Sequence, residues 1–232
     1  MKNIKLIACD IDGVLLEDTF SPILHTLAKK FGYPYTRELE RNMFSRPREE
    51  SLQYVLQNFK IDAKKIPVMV QTDLIKYYFE ERNNYMSSNP NGLINGVPEF
   101  LERISKLGIE MICYGGLPEN EIIDDFKPYL KYFTKYICTN DFRPGIKEIT
   151  TEFHKLKYSE VLFIDDVNTV AEVAKDLNVP FIGIPADHDW GYQKDDMKRT
   201  GVKHIVQSVN DIDVELIMKI DREIEENQLW EK

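Results

Sequence analysis

Ile4-Lys5-Leu6-Ile7-Ala8-Cys9-Asp10-Ile11-Asp12-Gly13-Val14-Leu15 is the stretch on which the fold turns: a short apolar run, two aspartates one residue apart, then a glycine. Apolar residues at successive positions predict a strand buried on both faces, as in a parallel sheet. In open parallel sheets ligands bind beyond the carboxyl ends of the strands, where this aspartate pair would stand. One carboxylate placed there can attack phosphorus while a second handles protons. Gly13 allows a tight turn and a close backbone approach to an anion. Read alone, the same four residues also suit a structural turn or a calcium loop.

A second run, Val161-Leu162-Phe163-Ile164-Asp165-Asp166, ends in two adjacent carboxylates with no Lys or Arg beside them. Like charges this close are unfavourable unless a cation sits among them. With Asp10 they would form an all-oxygen site suited to Mg²⁺. The competing reading is a helix N-cap, with Asp166 capping a helix that begins near Asn168.

Outward from these two runs, strands are expected at Ile4 to Cys9, Ile109 to Tyr114, Val161 to Ile164 and Pro180 to Ile184. Weaker ones are expected around Tyr136 to Thr139 and His204 to Val206. Their alternation with helical stretches is the α/β pattern. From about Glu17 to Gly92 the pattern changes. Ile23, Leu27 and Phe31, then Leu52, Val55, Leu56 and Phe59, then Leu74, Ile75, Tyr78 and Phe79 fall at helical spacing. The polar linker Ser87-Ser88-Asn89-Pro90-Asn91-Gly92 closes the region. A parallel crossover needs only about a dozen residues, so a separate helical module is expected here. Within it, Ser45-Arg46-Pro47-Arg48-Glu49-Glu50 reads as a helix start with Ser45 as the cap.

The 232 residues suffice to bury a real core, and a formal charge of −9 argues against a nucleic-acid partner. No apolar run approaches the roughly 20 residues needed to span a bilayer. Cys9, Cys113 and Cys138 lack metal-type spacing and suit a reducing cytoplasm. His25, His154, His188 and His204 are scattered, and Asp187-His188-Asp189-Trp190 reads as a loop rather than a metal cluster. The acidic tail from Asp221 to Lys232 reads as a solvated helix, with Trp230 as a docking residue.

Asp10-Ile11-Asp12-Gly13-Val14-Leu15 resembles the first motif of the haloacid dehalogenase (HAD) superfamily, and Asp165-Asp166 resembles its fourth, acidic motif. Gly96-Val97-Pro98-Glu99-Phe100-Leu101 is similar to the segment entering the helix before the second motif. Gly201 to Val209 is similar to the late helix-to-strand passage. The resemblance implies a Rossmann-like parallel sheet flanked by helices, formed by residues 1–16 and 93–232, with a smaller all-helical cap domain from 17–92. Asp10 would be the nucleophile and a magnesium ligand. Asp12 would be general acid and base, with its backbone carbonyl on the metal, and Asp166 with Asp165 would complete the Mg²⁺ site.

At the second motif Tyr114 stands where the family has Ser or Thr. It is followed by Gly115-Gly116, whose amides, ahead of a helix starting near Pro118, would bind phosphate. Cys113 is the match if the register slips by one. At the third motif Arg143 precedes Pro144 in the place of a lysine, with Lys147 as the alternative. Val170 stands where the fourth motif often has another acid or Asn. Arg46 or Arg48 would grip a distal substrate anion, or else be solvated surface charges.

The activity implied is a Mg²⁺-dependent phosphatase of a small metabolite, such as a sugar phosphate, phosphoglycolate or a nucleotide. The partner expected is a small phosphate ester, not a nucleic acid or a membrane, bound by a cytoplasmic monomer or homodimer. Two alternatives stand beside it. One is a phosphomutase of the same family. The other is a catalytically weak relative that binds a phosphorylated ligand or a partner.

Overall fold

The computed structural model describes residues 1–59, 71–89, 92–122 and 124–231. Strand β1 (Leu6–Asp10) is buried along its whole length. Ile7 and Cys9 enter the hydrophobic cluster on one face of the sheet, and Leu6 and Ala8 enter the cluster on the other. That alternation explains why the sequence is apolar at every position.

Parallel neighbours flank β1 on both sides: β2 (Glu110–Gly115) and β4 (Val161–Asp165). Strands β3 (Tyr136–Cys138) and β5 (Phe181–Gly183) complete the order β3-β2-β1-β4-β5, all parallel. The chain builds one side of β1 first and then crosses to the other at β4. The topological switch point therefore lies between β1 and β4, where ligands of such sheets settle. The stretch around His204 to Val206 contributes only a single rung. Ile205 bridges Gly183, with Gly183 N donating to His204 O at 2.9 Å and Val206 N to Gly183 O at 2.9 Å.

Helices α5 (Val97–Ser105) and α8 (Val214–Glu226) cover one face. On α5, Val97, Phe100, Leu101 and Ile104 are buried, the spacing of one helical stripe. The other face is covered by α6 (Asn168–Asp176), α7 (Gln193–Thr200) and a π-helical turn at Glu148–Phe153.

The chain leaves this sheet at Leu16 and returns at Leu93, and the two passing segments form an antiparallel bridge. Glu17 N donates to Gly92 O at 3.0 Å and Ile94 N to Leu15 O at 3.1 Å. Between them stand α1 (Phe20–Lys30), α2 (Arg37–Met43), α3 (Arg48–Asn58) and α4 (Gln71–Ser88). Helices α1 and α2, with the residues that end α2 and α3, share a small core of Leu24, Ala28, Leu39, Phe44 and Phe59. The architecture is thus a Rossmann-like parallel sheet flanked by helices, with a smaller all-helical cap.

One helix is added and one local expectation changes. Helix α2, too short for periodicity to reveal, starts at Thr36, whose side chain accepts from Leu39 N at 3.1 Å. Ser45 is not a cap. It has φ 51°, and α3 starts instead from Pro47 without a side-chain cap. Pro90 and Asn91 of the expected linker lie outside the described residues.

The acidic tail is not a solvated helix either. Asp221 is buried and accepts from Ile4 N (2.8 Å), Lys2 N (2.9 Å) and Asn3 N (2.9 Å), so it pins the chain entering β1. Glu223 meets His204 Nε2 at 2.6 Å, and Trp230 stacks on Phe181 at 6.0 Å. Burial alone would raise the Asp221 pKa, but its three backbone donors hold it below the ordinary carboxylate value. A depressed folded-state pKa contributes stability that is full above the unfolded value and is lost as pH falls through the folded one. Asp221→Ala is therefore expected to lower unfolding free energy by about 2–4 kcal/mol at pH 7. In urea titrations the gap from wild type should narrow below about pH 4.

Candidate active site

Asp10 ends β1 and Asp165 ends β4, and the register that pairs Cys9 with Ile164 sets the two side by side. The sheet alone thereby brings carboxylates to the switch point. After β1 the chain turns tightly, with Gly13 N donating to Leu16 O at 2.8 Å. Gly13 has φ 91°, and a Cβ there would lie 2.4 Å from Asp166 Oδ2. Only glycine lets this turn pass so close to that carboxylate.

Asp10, Asp12, Asp165 and Asp166 line one cavity of about 260 Å³, with Asp18, Arg143, Arg82, Arg48, Arg46 and Gly116. Asp10, Asp165 and Asp166 are buried. Burial first, and then the charge of Asp165, pushes the Asp10 carboxyl well above its ordinary value, with Arg143 opposing. Asp166 is raised in the same way by burial and by Asp165 and Asp10. Asp165 is raised by burial only to about 6, because the Tyr114 hydroxyl and Val167 N donate to it. Burial and Asp18 bring Asp12 up to about 7, against Thr19 and Arg82. Thr19 holds Asp12 through its N–H and its hydroxyl, both at 3.3 Å.

Gly116 serves this cluster by having no side chain. A Cβ there would lie 2.3 Å from Arg143 Nη2, so the bare turn lets the guanidinium cross beside it. Arg143 reaches the cavity, whereas Lys147 is exposed outside it.

Tyr114 and Gly115 do not line the cavity. Tyr114 is fully buried, 5.7 Å from the Phe163 ring, and its hydroxyl donates to Asp165 Oδ2. It therefore holds a carboxylate rather than a phosphoryl oxygen. Gly115 is a packing glycine, since a Cβ would lie 2.6 Å from Ile11 Cγ2. Cys113 is buried in the core beside Cys9 in register. After Pro118 the chain makes short 3₁₀ turns at Glu119–Glu121 and Asp124–Tyr132, not the expected α-helix. Asp166 does not cap α6, whose N-cap is Val167 with no side-chain bond. Val170 is fully buried beside Tyr114 in the core cluster.

Arg48 is half-buried at the cavity, whereas Arg46 is exposed and its Nε donates to the Arg41 carbonyl at 3.1 Å. Sequence reasoning missed Arg82 and Asp18. Arg82 is 6% exposed although charged, which sets it apart from a solvated arginine. Its signal was in the sequence: it falls three and four residues after Phe79 and Tyr78, continuing their helical stripe.

Among the described residues no three His, Cys, Asp or Glu side chains close on one point as a finished metal cage. Magnesium does not require one, because it keeps waters and substrate oxygens beside one or two protein carboxylates. The donor set is all oxygen, and Arg143 is set against Asp10 and Asp165, which leaves Asp166 without a compensating charge. The residues fit such an ion.

Residues 7–184 match the family described as haloacid dehalogenase-like hydrolase. No curated protein matches the chain in sequence. Among solved structures, a haloacid dehalogenase-like hydrolase from Streptococcus pneumoniae is 16% identical at a TM-score of 0.62, over 94% of this chain and 99% of that one. CbbY from Rhodobacter sphaeroides, in complex with phosphate, is 14% identical at 0.61, over 90% and 96%. A predicted phosphoglycolate phosphatase from Haemophilus somnus is 18% identical at 0.60, over 95% and 99%. At these identities the structural likeness establishes the fold. The protein belongs to the haloacid dehalogenase-like hydrolase family.

Tyr114→Phe removes the hydroxyl from Asp165 and keeps the ring packing. It is expected to destabilise the protein by roughly 1–3 kcal/mol at pH 7.5. The loss should shrink towards pH 5, where Asp165 is protonated in the wild type as well. Chemical denaturation at the two pH values measures both.

Proposed function

We propose that the protein is a Mg²⁺-dependent phosphatase of small phosphate monoesters that works through an aspartyl-phosphate on Asp10. The observation that carries this reading is the convergence of Asp10, Asp12, Asp165 and Asp166 with Arg143 on one cavity at the sheet's switch point. A binding-only protein has no need for two carboxylates, Asp10 and Asp12, aimed at an anion.

A carboxylate oxygen of Asp10 attacks phosphorus and the phosphorus–oxygen ester bond breaks. Asp12 passes its proton to the departing alkoxide, which leaves as the alcohol. Asp12, now a base, takes a proton from water as that water attacks the acyl-phosphate. Inorganic phosphate leaves and Asp10 is restored. An Asp12 pKa near 7 suits a group that must give and take a proton in one cycle. Arg143 balances charge on the phosphoryl oxygens. Asp10, Asp166 and the Asp12 carbonyl, with Asp165 beside them, would hold Mg²⁺, which supplies positive charge against the phosphoryl group.

In the same proposal the cap spans 17–92, hinged where Leu16 pairs with Leu93. The phosphomutase reading of the same site stands as the alternative. The weak-binder reading loses one of its supports, because Tyr114 lies beneath the site and does not block it. No helix among the described residues is long and apolar enough to cross a membrane. A cytoplasmic setting rests on three free cysteines, two of them buried.

The test is p-nitrophenyl phosphate hydrolysis. Turnover should require Mg²⁺, disappear with chelator, and fall at least a thousandfold in Asp10→Asn while the fold is retained by circular dichroism. Turnover that survives in this variant would remove Asp10 from its assigned role.

A further inference from the structure

The floor of the cavity suits a phosphoryl group, but its roof has a different chemistry. Leu27 of α1, Leu52 and Val55 of α3, and Tyr77, Tyr78 and Phe79 of α4 all line the space above the carboxylates. None of them is fully buried, so each keeps apolar surface turned towards the cavity. Helix α3 is the clearest case. It buries no side chain completely, and its Leu52 and Val55 are spent on the cavity wall. Apolar surface held open inside a protein marks the place of an apolar ligand.

Among the described residues Arg48 of α3 is half-buried on the same wall, and several other polar groups near the roof are committed elsewhere. The Arg46 Nε donates outwards to the Arg41 carbonyl. Ser51 Oγ is directed to the Met43 carbonyl at 3.5 Å, while Ser45, whose buried Oγ has no partner, lines the cavity. Arg82 of α4 is buried near Asp12 and Tyr78, where its charge opposes the rise that burial imposes on both. A sugar would set several hydroxyls against Leu, Val and Phe surfaces. Each hydroxyl left without a partner weakens binding by roughly tenfold.

We infer that the alcohol released by this enzyme is apolar, an alkyl or aryl alcohol, and is not a sugar, glycolate or a nucleoside. The inference rests on the phosphatase reading and narrows it. The reaction is hydrolysis of the monoester by water to the apolar alcohol and inorganic phosphate. The chain closes over the leaving group with α1, α3 and α4, while the phosphoryl group stays at the switch point.

The test compares primary alkyl esters, whose leaving groups are chemically alike, on the full-length protein with Mg²⁺. The specificity constant should rise about fourfold per methylene from ethyl to hexyl phosphate. Hexyl phosphate should exceed glucose 6-phosphate, phosphoglycolate and a nucleoside monophosphate by at least a hundredfold. Leu52→Asn should flatten the chain-length dependence. A flat alkyl series with the highest constant on a sugar phosphate or nucleotide would overturn the inference and leave the phosphatase reading standing.

Absence of turnover on every ester, p-nitrophenyl phosphate included, would instead sink the phosphatase reading. The roof is then tested without chemistry, by calorimetric binding of ethyl- and hexylphosphonate. Tighter binding of the longer phosphonate supports the apolar site, and equal binding overturns it.

Discussion

Three buried carboxylates, with the half-buried Asp12 beside them, stand at the carboxyl end of the sheet and set the terms for the rest of the molecule. Burial makes each of them resist ionisation, and their proximity makes each resist its neighbours. The protein relieves this strain unevenly. Asp165 receives the Tyr114 hydroxyl and the Val167 N–H, and Asp12 receives Thr19. Asp10 and Asp166 are left with the largest uncompensated shifts, opposed at Asp10 chiefly by Arg143. Asp166, raised by every charge beside it, and Asp10, where burial outweighs Arg143, are therefore the two that an outside cation would relieve most. Asp165, by contrast, acts as a strut fixed from below.

Holding such a cluster requires rigid neighbours, and the fold supplies them from both directions. Beneath it, β1 runs through the middle of the sheet and is pinned at its entry by Asp221. Above it, Glu40 of α2 accepts from Tyr192 N at 3.0 Å and from Gln193 Nε2 at 2.6 Å. Gln193 Oε1 in turn accepts from Asn168 N at 2.7 Å. Asn168 opens α6 two residues after Asp166. The cap is thus fastened to the helix that follows the acidic strand, and its position is tied to the carboxylates it covers. Burial raises the pKa of Glu40 despite these donors, as expected of a charge sealed between two packed parts.

The carboxylate pairs were legible because two constraints coincide in them. An apolar strand must be buried, and a charged pair at its end must face something. The residues behind the cluster were not legible, because their roles depend on which side of a strand they point to. Tyr114 stands at the second-motif position, where the sequence leaves open whether its side chain faces the ligand. In the folded chain its side chain enters the opposite core cluster from that of Cys113, as alternation along a strand requires. Arg82 was hidden by the opposite problem, a charge in an amphipathic helix that looked like solvated surface. Helix α2 was invisible because seven residues span too few turns to show a period.

A largely apolar roof above an acidic floor is consistent physics. Hydrocarbon over the cavity lowers the local dielectric, which strengthens each charge interaction beneath it. The same surface expels water, so the carboxylates are better matched by a bound cation and a phosphoryl group than by solvent. Charge complementarity at the floor and apolar contact at the roof are therefore not rival determinants. The apolar part of a ligand excludes water and so makes the electrostatics at its other end more effective. This coupling runs through helices that also share the cap's own core, Leu24 and Ala28 with Phe59, so the roof is shaped by the packing that makes the cap stable.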